Sequence, residues 1–121
     1  MAVGNETIGL AMLIFNITKK FPMEERYSLT DQIRRSSRSV ASCVAEAYRK
    51  RRYQAYFVGK SSDADMESSE TQVWRDFSLA CNYITSDEHA DLCSRSEEIG
   101  KLLNHMIENP EKYLRTNEKV S

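Results

Sequence analysis

The chain has 121 residues, 40% of them hydrophobic and 29% charged, a balance that fits one globular domain and excludes both a disordered chain and a membrane-spanning bundle. No proline stands between Pro22 and Pro110, which points to long helices and away from a β-rich fold. The net charge of −1 conceals a division: residues 19–60 carry a surplus of +7 and residues 61–121 a deficit of −7. A basic half is a weak pointer to nucleic acid.

An apolar run over Ile8–Ile17 lies near the start with no basic segment before it, and it is about half a membrane span long. The expectation is a first helix packed into a core rather than a signal or a span. Asn16-Ile17-Thr18 spells a glycosylation triplet, which means nothing without secretion. Cys43, Cys81 and Cys93 are odd in number and widely spaced, as expected of reduced thiols in a cytoplasm. One domain over residues 1–121 is expected, with an ordered core of about residues 7–109 and a tail from Glu111 that carries Tyr113 and Leu114 and then turns polar and frays.

The first helix is predicted over Thr7–Phe21, ended by Pro22. It carries two apolar stripes, Ile8, Ala11, Met12 and Phe15, and beside them Leu10, Leu13, Ile14, Ile17 and Phe21. A helix apolar over that much of its girth is buried on more than one side. The second helix is predicted from Leu29, capped by Ser28, to about Arg51, with a seam of Leu29, Ile33, Val40, Val44 and Tyr48 among many small residues. The third is the long one, Tyr53–Ile84, with Tyr56, Phe57, Ala64, Val73, Trp74, Phe77, Ala80, Cys81 and Ile84 as its apolar members and a break or kink open near Gly59–Ser62. The fourth opens on the capping box Thr85-x-x-Glu88, shows Leu92, Ile99, Leu102, Leu103 and Met106 as its seam, and stops at Asn109-Pro110. Four helices on short loops predict an all-α, up-down-up-down four-helix bundle.

The second helix also bears a polar stripe of Gln32, Arg35, Ser39, Ser42 and Glu46, and the third bears Asp63, Glu67 and Glu70 leading to Trp74. These are seam spacings. In a hairpin turning near Arg52, facing residue numbers sum to about 105, which sets Arg35 against Glu70, Arg38 against Glu67 and Glu46 against Lys60. The basic and acidic helices then neutralise each other and fix their register.

Motifs for chemistry are few. Gly59-Lys60-Ser61 has the end of a phosphate loop, but Gln54 stands where its upstream glycine belongs. Asp63-x-Asp65-x-Glu67 lacks the turn glycine of a calcium loop. His89 and Cys93, one helical turn apart with Glu97 following, are two or three potential zinc ligands on what reads as a solvated face. His89 and His105 lie about 24 Å apart on one helix and cannot share a site within a subunit. No catalytic set, cofactor or metal is expected. Arg49-Lys50-Arg51-Arg52, between Tyr48 and Tyr53, is the strongest nucleic-acid feature: four charges for phosphates and two rings for bases. The bland reading is a solvated basic turn at a helix C-terminus. Lys19, Lys20 and Arg26 lie about 35 Å away, at the other end of the bundle.

Leu29-Thr30-Asp31-Gln32-Ile33-Arg34-Arg35, Ser39-Val40, Val44-Ala45-Glu46, Ser62-Asp63-Ala64-Asp65, Glu67, Glu70-Thr71-Gln72-Val73-Trp74, Asp76-Phe77 and Cys81-Asn82-Tyr83-Ile84 resemble the bacterial four-helix bundle family that includes proteins of ribosomal RNA gene intervening sequences. The resemblance spans roughly residues 8–108. It implies a four-helix bundle assembled into a homopentameric ring, without known activity in most members. A related branch implies the alternative, a basic accessory that binds a reverse transcriptase and RNA or DNA. Cys43, Ala47, Arg75 and Asn82 depart from the usual Asn, Gly, apolar residue and Gly, and the net charge departs from the basic accessory branch. The expected function is therefore a non-enzymatic, homo-oligomeric interaction scaffold in the cytoplasm, with the nucleic-acid accessory as the alternative.

Overall fold

The structure is a computed structural model that describes residues 1–114; the polar stretch expected to fray after Leu114 lies outside the described residues. Four helices, α1 (Ala2–Thr18), α2 (Leu29–Arg49), α3 (Gln54–Ala80) and α4 (Ser86–Glu108), form the expected up-down-up-down bundle. Each helix packs on the next, α4 closes back on α1, and the α2–α3 contact is the most extensive. No described helix is long and apolar enough to cross a membrane.

Small side chains make the α2–α3 contact close. Ser36 and Ser37 on α2, and Ser61, Ala64, Ser68 and Thr71 on α3, are all buried. Several of their hydroxyls bond within their own helix: Ser61 Oγ donates to the Phe57 carbonyl (2.7 Å) and Ser37 Oγ to that of Arg34 (3.1 Å). The apolar core fills the rest with Leu10 and Ile14 of α1, Ile33, Val40 and Val44 of α2, Phe57 of α3, and Leu92, Ile99, Leu103 and Met106 of α4.

Several boundaries differ from expectation, each for a local reason. α1 begins five residues early because Val3 joins the core and Thr7 is buried. It stops at Thr18, not Phe21: the amides of Lys19, Lys20 and Phe21 turn back to Asn16, Ile17 and Thr18 as the helix tightens before Pro22. Ser28 occupies the N-cap of α2, but its hydroxyl donates to Glu25 Oε1 (2.6 Å) instead of capping, and the Leu29 amide reaches that same oxygen (3.4 Å). α2 ends at Arg49, short of Arg51. α3 runs unbroken through Gly59–Ser62 and ends at Ala80, before Ile84.

Asn82 explains that last end. It is the one described non-glycine residue with positive φ, 60°. Its amide donates to the Leu79 carbonyl and that of Tyr83 to Ser78, both at 2.9 Å. This is a Schellman stop with Asn at the left-handed position that glycine favours. The Thr85–Glu88 capping box is present as expected, with reciprocal bonds of 3.1 and 2.9 Å. Beyond α4 a 3₁₀ turn over Pro110–Lys112 lays Tyr113 against Tyr48 and Phe57, with ring centroids 6.2 and 5.5 Å away.

Candidate functional site

The expected polar seam exists in part. Lys60 Nζ meets Glu46 (2.9 Å) and Asp63 (3.6 Å), and the Ser36 and Thr71 hydroxyls share a buried 2.8 Å hydrogen bond within two residues of the expected register. The Glu46 carboxylate raises the Lys60 pKa. Gln32, Arg35, Glu67 and Glu70 line one shallow polar groove between α2 and α3, so Arg35 and Glu70 share a face. Arg35 forms no ion pair with Glu70 among the described residues, however.

Arg38 departs from the expected pairing altogether. It leans toward α1, with its guanidinium 5.6 Å from the centre of the Phe15 ring, and does not meet Glu67. Arg34 and Lys19 approach the same ring at 4.8 and 4.9 Å. Arg34 Nε also donates to Thr18 Oγ1 (2.8 Å). Three cations thus gather on one half-buried aromatic face, an arrangement that stabilises cations without any acid. A hairpin register cannot reveal this, because Phe15 belongs to a different helix.

The two apolar stripes of α1 part company. Leu10 and Ile14 of the second stripe are buried, whereas Ile8 and Met12 of the first are 57% and 51% exposed. With Ala11, Arg38, Ala41 and Ser42, they line an open groove of about 360 Å³ between α1 and α2. A second apolar area lies on α3: Val73 and Phe77, expected in its seam, are about half exposed, and Phe77 borders a cleft with Tyr27, Leu29 and Trp74.

The basic turn joins α2 to α3. Arg49 and Lys50 are exposed. Arg51 is held down: its Nε donates to the Tyr48 carbonyl (3.0 Å) and its guanidinium lies 5.2 Å from the Tyr48 ring centre. Lys50 Nζ stands 5.9 Å from both the Tyr53 and Tyr56 ring centres, and both rings are exposed. Tyr48, expected both in the α2 seam and as a ring flanking the turn, takes the seam role: it is half-buried against the core, edge-on to Tyr113 and Phe57. Tyr56, which the sequence reading placed in the apolar seam, takes its place beside the cations.

At the other end, three carboxylates tie elements together. Glu25 accepts from Ser28 and from the Tyr83 hydroxyl (2.8 Å), which pushes the Tyr83 pKa up to about 12. Lys20 bridges both Glu88 oxygens at 2.6 Å. His89, expected on a solvated face, is only 23% exposed and bridges α4 to Asp76 on α3 (2.9 Å). Among the described residues, no group of three or more His, Cys, Asp or Glu side chains has a metal-holding arrangement.

The family model described as 23S rRNA-intervening sequence protein matches residues 1–105. The chain is similar to a crystal structure from Bacteroides thetaiotaomicron, a protein of unknown function from the S23 ribosomal protein family. The two are 29% identical and superpose with a TM-score of 0.78, covering 87% of this chain and 97% of that one. No curated protein matches the chain.

Hydrogen bonds hold three carboxyls below their ordinary values: Glu25 through Ser28 and Tyr83, Asp76 through Arg75 and His89, and Glu88 through Lys20 and the Thr85 amide. A depressed carboxyl binds fewer protons folded than unfolded, so its stabilisation is complete above the ordinary value and disappears as pH falls through the folded one. The thermal midpoint should therefore fall as pH is lowered from about 5 to about 3, and Glu88→Gln should make that fall shallower. A midpoint level across that range contradicts the assignment.

Proposed function

The chain belongs to the 23S rRNA-intervening sequence protein family, and we propose that it acts as a non-enzymatic scaffold built from a closed ring of its own copies. The observation that carries this reading is the exposed part of the first stripe of α1, Ile8 and Met12, each more than half exposed beside a groove the subunit does not fill. Contiguous apolar surface of this kind marks an interaction site. The exposed area of Val73 and Phe77 on α3 is a different surface of the same subunit. Two unlike apolar surfaces favour head-to-tail contacts, which close into rings rather than two-fold dimers. Five subunits is the number that the family resemblance implies.

Sedimentation at micromolar concentration should give one discrete oligomer, and Ile8→Glu with Met12→Glu should give monomers of unchanged helicity. A wild-type chain that is monomeric at that concentration contradicts the reading.

The Lys50–Tyr53–Tyr56 cluster favours a second reading, an accessory that binds RNA or DNA alone or with a reverse transcriptase. Exposed rings beside a cation provide stacking and phosphate attraction together. In a ring, the turns of all subunits, each carrying Arg49, Lys50, Arg51 and Arg52, lie around one end and act by avidity. Oligonucleotide affinity should fall steeply with salt and collapse when these four residues become Ala; absence of binding at about 50 mM salt rejects this reading.

A further inference from the structure

The α3–α4 contact sets three reactive side chains in a row outside the bundle core, with Asp76 bordering the Val73–Phe77 surface. His89 Nε2 lies 2.9 Å from Asp76 Oδ1. Cys93, one turn further along α4, holds its sulfur 3.6 Å from His89 Nδ1. Arg75 Nε donates to the same Asp76 oxygen (3.0 Å), and with His89 it keeps that carboxyl below its ordinary range, hence ionised near neutrality. An ionised Asp76 accepts the Nε2 proton. This fixes the neutral ring as the tautomer whose lone pair is on Nδ1, the ring nitrogen nearer the thiol. The order is nucleophile, base and orienting carboxylate, the general pattern of an activated side chain.

The other two cysteines lack this arrangement. Cys43 is partly buried, and burial pushes its thiol pKa up. Cys81 is exposed, yet no histidine contacts it among the described residues. Cys93 is intermediate: open enough to meet a small molecule, and paired with a base. Its sulfur is also 3.9 Å from Nε2, so it stands beside the ring rather than along the Nδ1 lone pair. Proton transfer therefore requires the sulfur to move from over the ring into line with Nδ1, and loose contacts of this kind are ordinary before a reactant is bound.

We propose that Cys93 is a thiol-exchange site for low-molecular-weight disulfides, with His89 as its base and Asp76 as the positioning residue. His89 Nδ1 takes the thiol proton as the Cys93 sulfur attacks one sulfur of the disulfide. One S–S bond forms, to Cys93, and the original S–S bond breaks. The second half leaves as a thiolate and takes up the proton from His89. Cys93 is oxidised to a mixed disulfide, and the released half of the small disulfide is reduced to a thiol, so no further oxidant enters.

The test uses the intact chain with glutathione disulfide at neutral pH and reads mixed-disulfide formation at each cysteine by peptide mass spectrometry. An ideal general base is worth about 10²–10⁴-fold, and the offset sulfur places the expectation near about tenfold faster reaction at Cys93 than at Cys81, despite the greater exposure of Cys81. His89→Gln removes the base and should bring Cys93 to the rate of Cys81 or below, with Cys81 itself unchanged. Asp76→Asn should cause a smaller loss at Cys93 alone. Equal wild-type rates at the two cysteines overturn the proposal, and so does a Cys93 to Cys81 ratio that His89→Gln does not move. The wild-type ratio needs no variant, so it decides the matter even if a substitution disturbs folding.

Discussion

The close approach of α2 and α3 governs the rest of this bundle. Ser36 and Ser37 on one helix, and Ser61, Ala64, Ser68 and Thr71 on the other, are small and buried, so the two backbones come together without large side chains between them. At that separation a hydroxyl pair, Ser36 and Thr71, closes across the seam at 2.8 Å. Lys60 reaches Glu46 farther along. With the register set, the larger apolar side chains of α1 and α4 complete the core from the flanks. Because α1 contributes only part of its apolar girth to that core, its outer stripe remains in solvent.

Much of this was legible in the sequence because it depends on local spacing. The Thr85–Glu88 box, the small-residue stripe of α2 and the double stripe of α1 are all patterns within one helix. What escaped sequence reading lies between helices or in unusual backbone. Asn82 ends α3 by adopting positive φ, a conformation that its residue type permits but does not announce. Arg38 found Phe15 across the α1–α2 contact, where a hairpin register could not look. Tyr113, expected just beyond the ordered core, packs its ring on Phe57, and its hydroxyl meets His105 at 2.6 Å, contacts that no local spacing announces. The His89–Cys93 pair was visible by its spacing, whereas its third member, Asp76, arrives from another helix.

The charge division reads differently once the helices are placed. The expected neutralisation of α2 by α3 rests on one ion pair, Glu46–Lys60, not on three. Arg34, Arg38 and Lys19 instead cover the Phe15 face, where a cation gains from the ring rather than from an acid. Lys20 is taken up by Glu88 on α4. The basic surplus is thus dispersed by several different means, and Arg49 and Lys50 remain exposed at the α2–α3 turn. That turn belongs to the same hairpin that fixes the fold, which makes it a rigid place from which to present charge and aromatic rings.

The seam itself is the claim on which the rest depends, and a double-mutant cycle on Ser36→Ala and Thr71→Val tests it most directly. Each single change removes the bond across the seam and leaves the other hydroxyl only a carbonyl of its own helix, Ile33 for Ser36 or Glu67 for Thr71. Denaturant unfolding should show a coupling of about 0.5–1.5 kcal/mol, the double variant losing less than the two singles added together. Additivity within about 0.3 kcal/mol would mean that the two hydroxyls do not meet in the folded protein and would contradict this α2–α3 register.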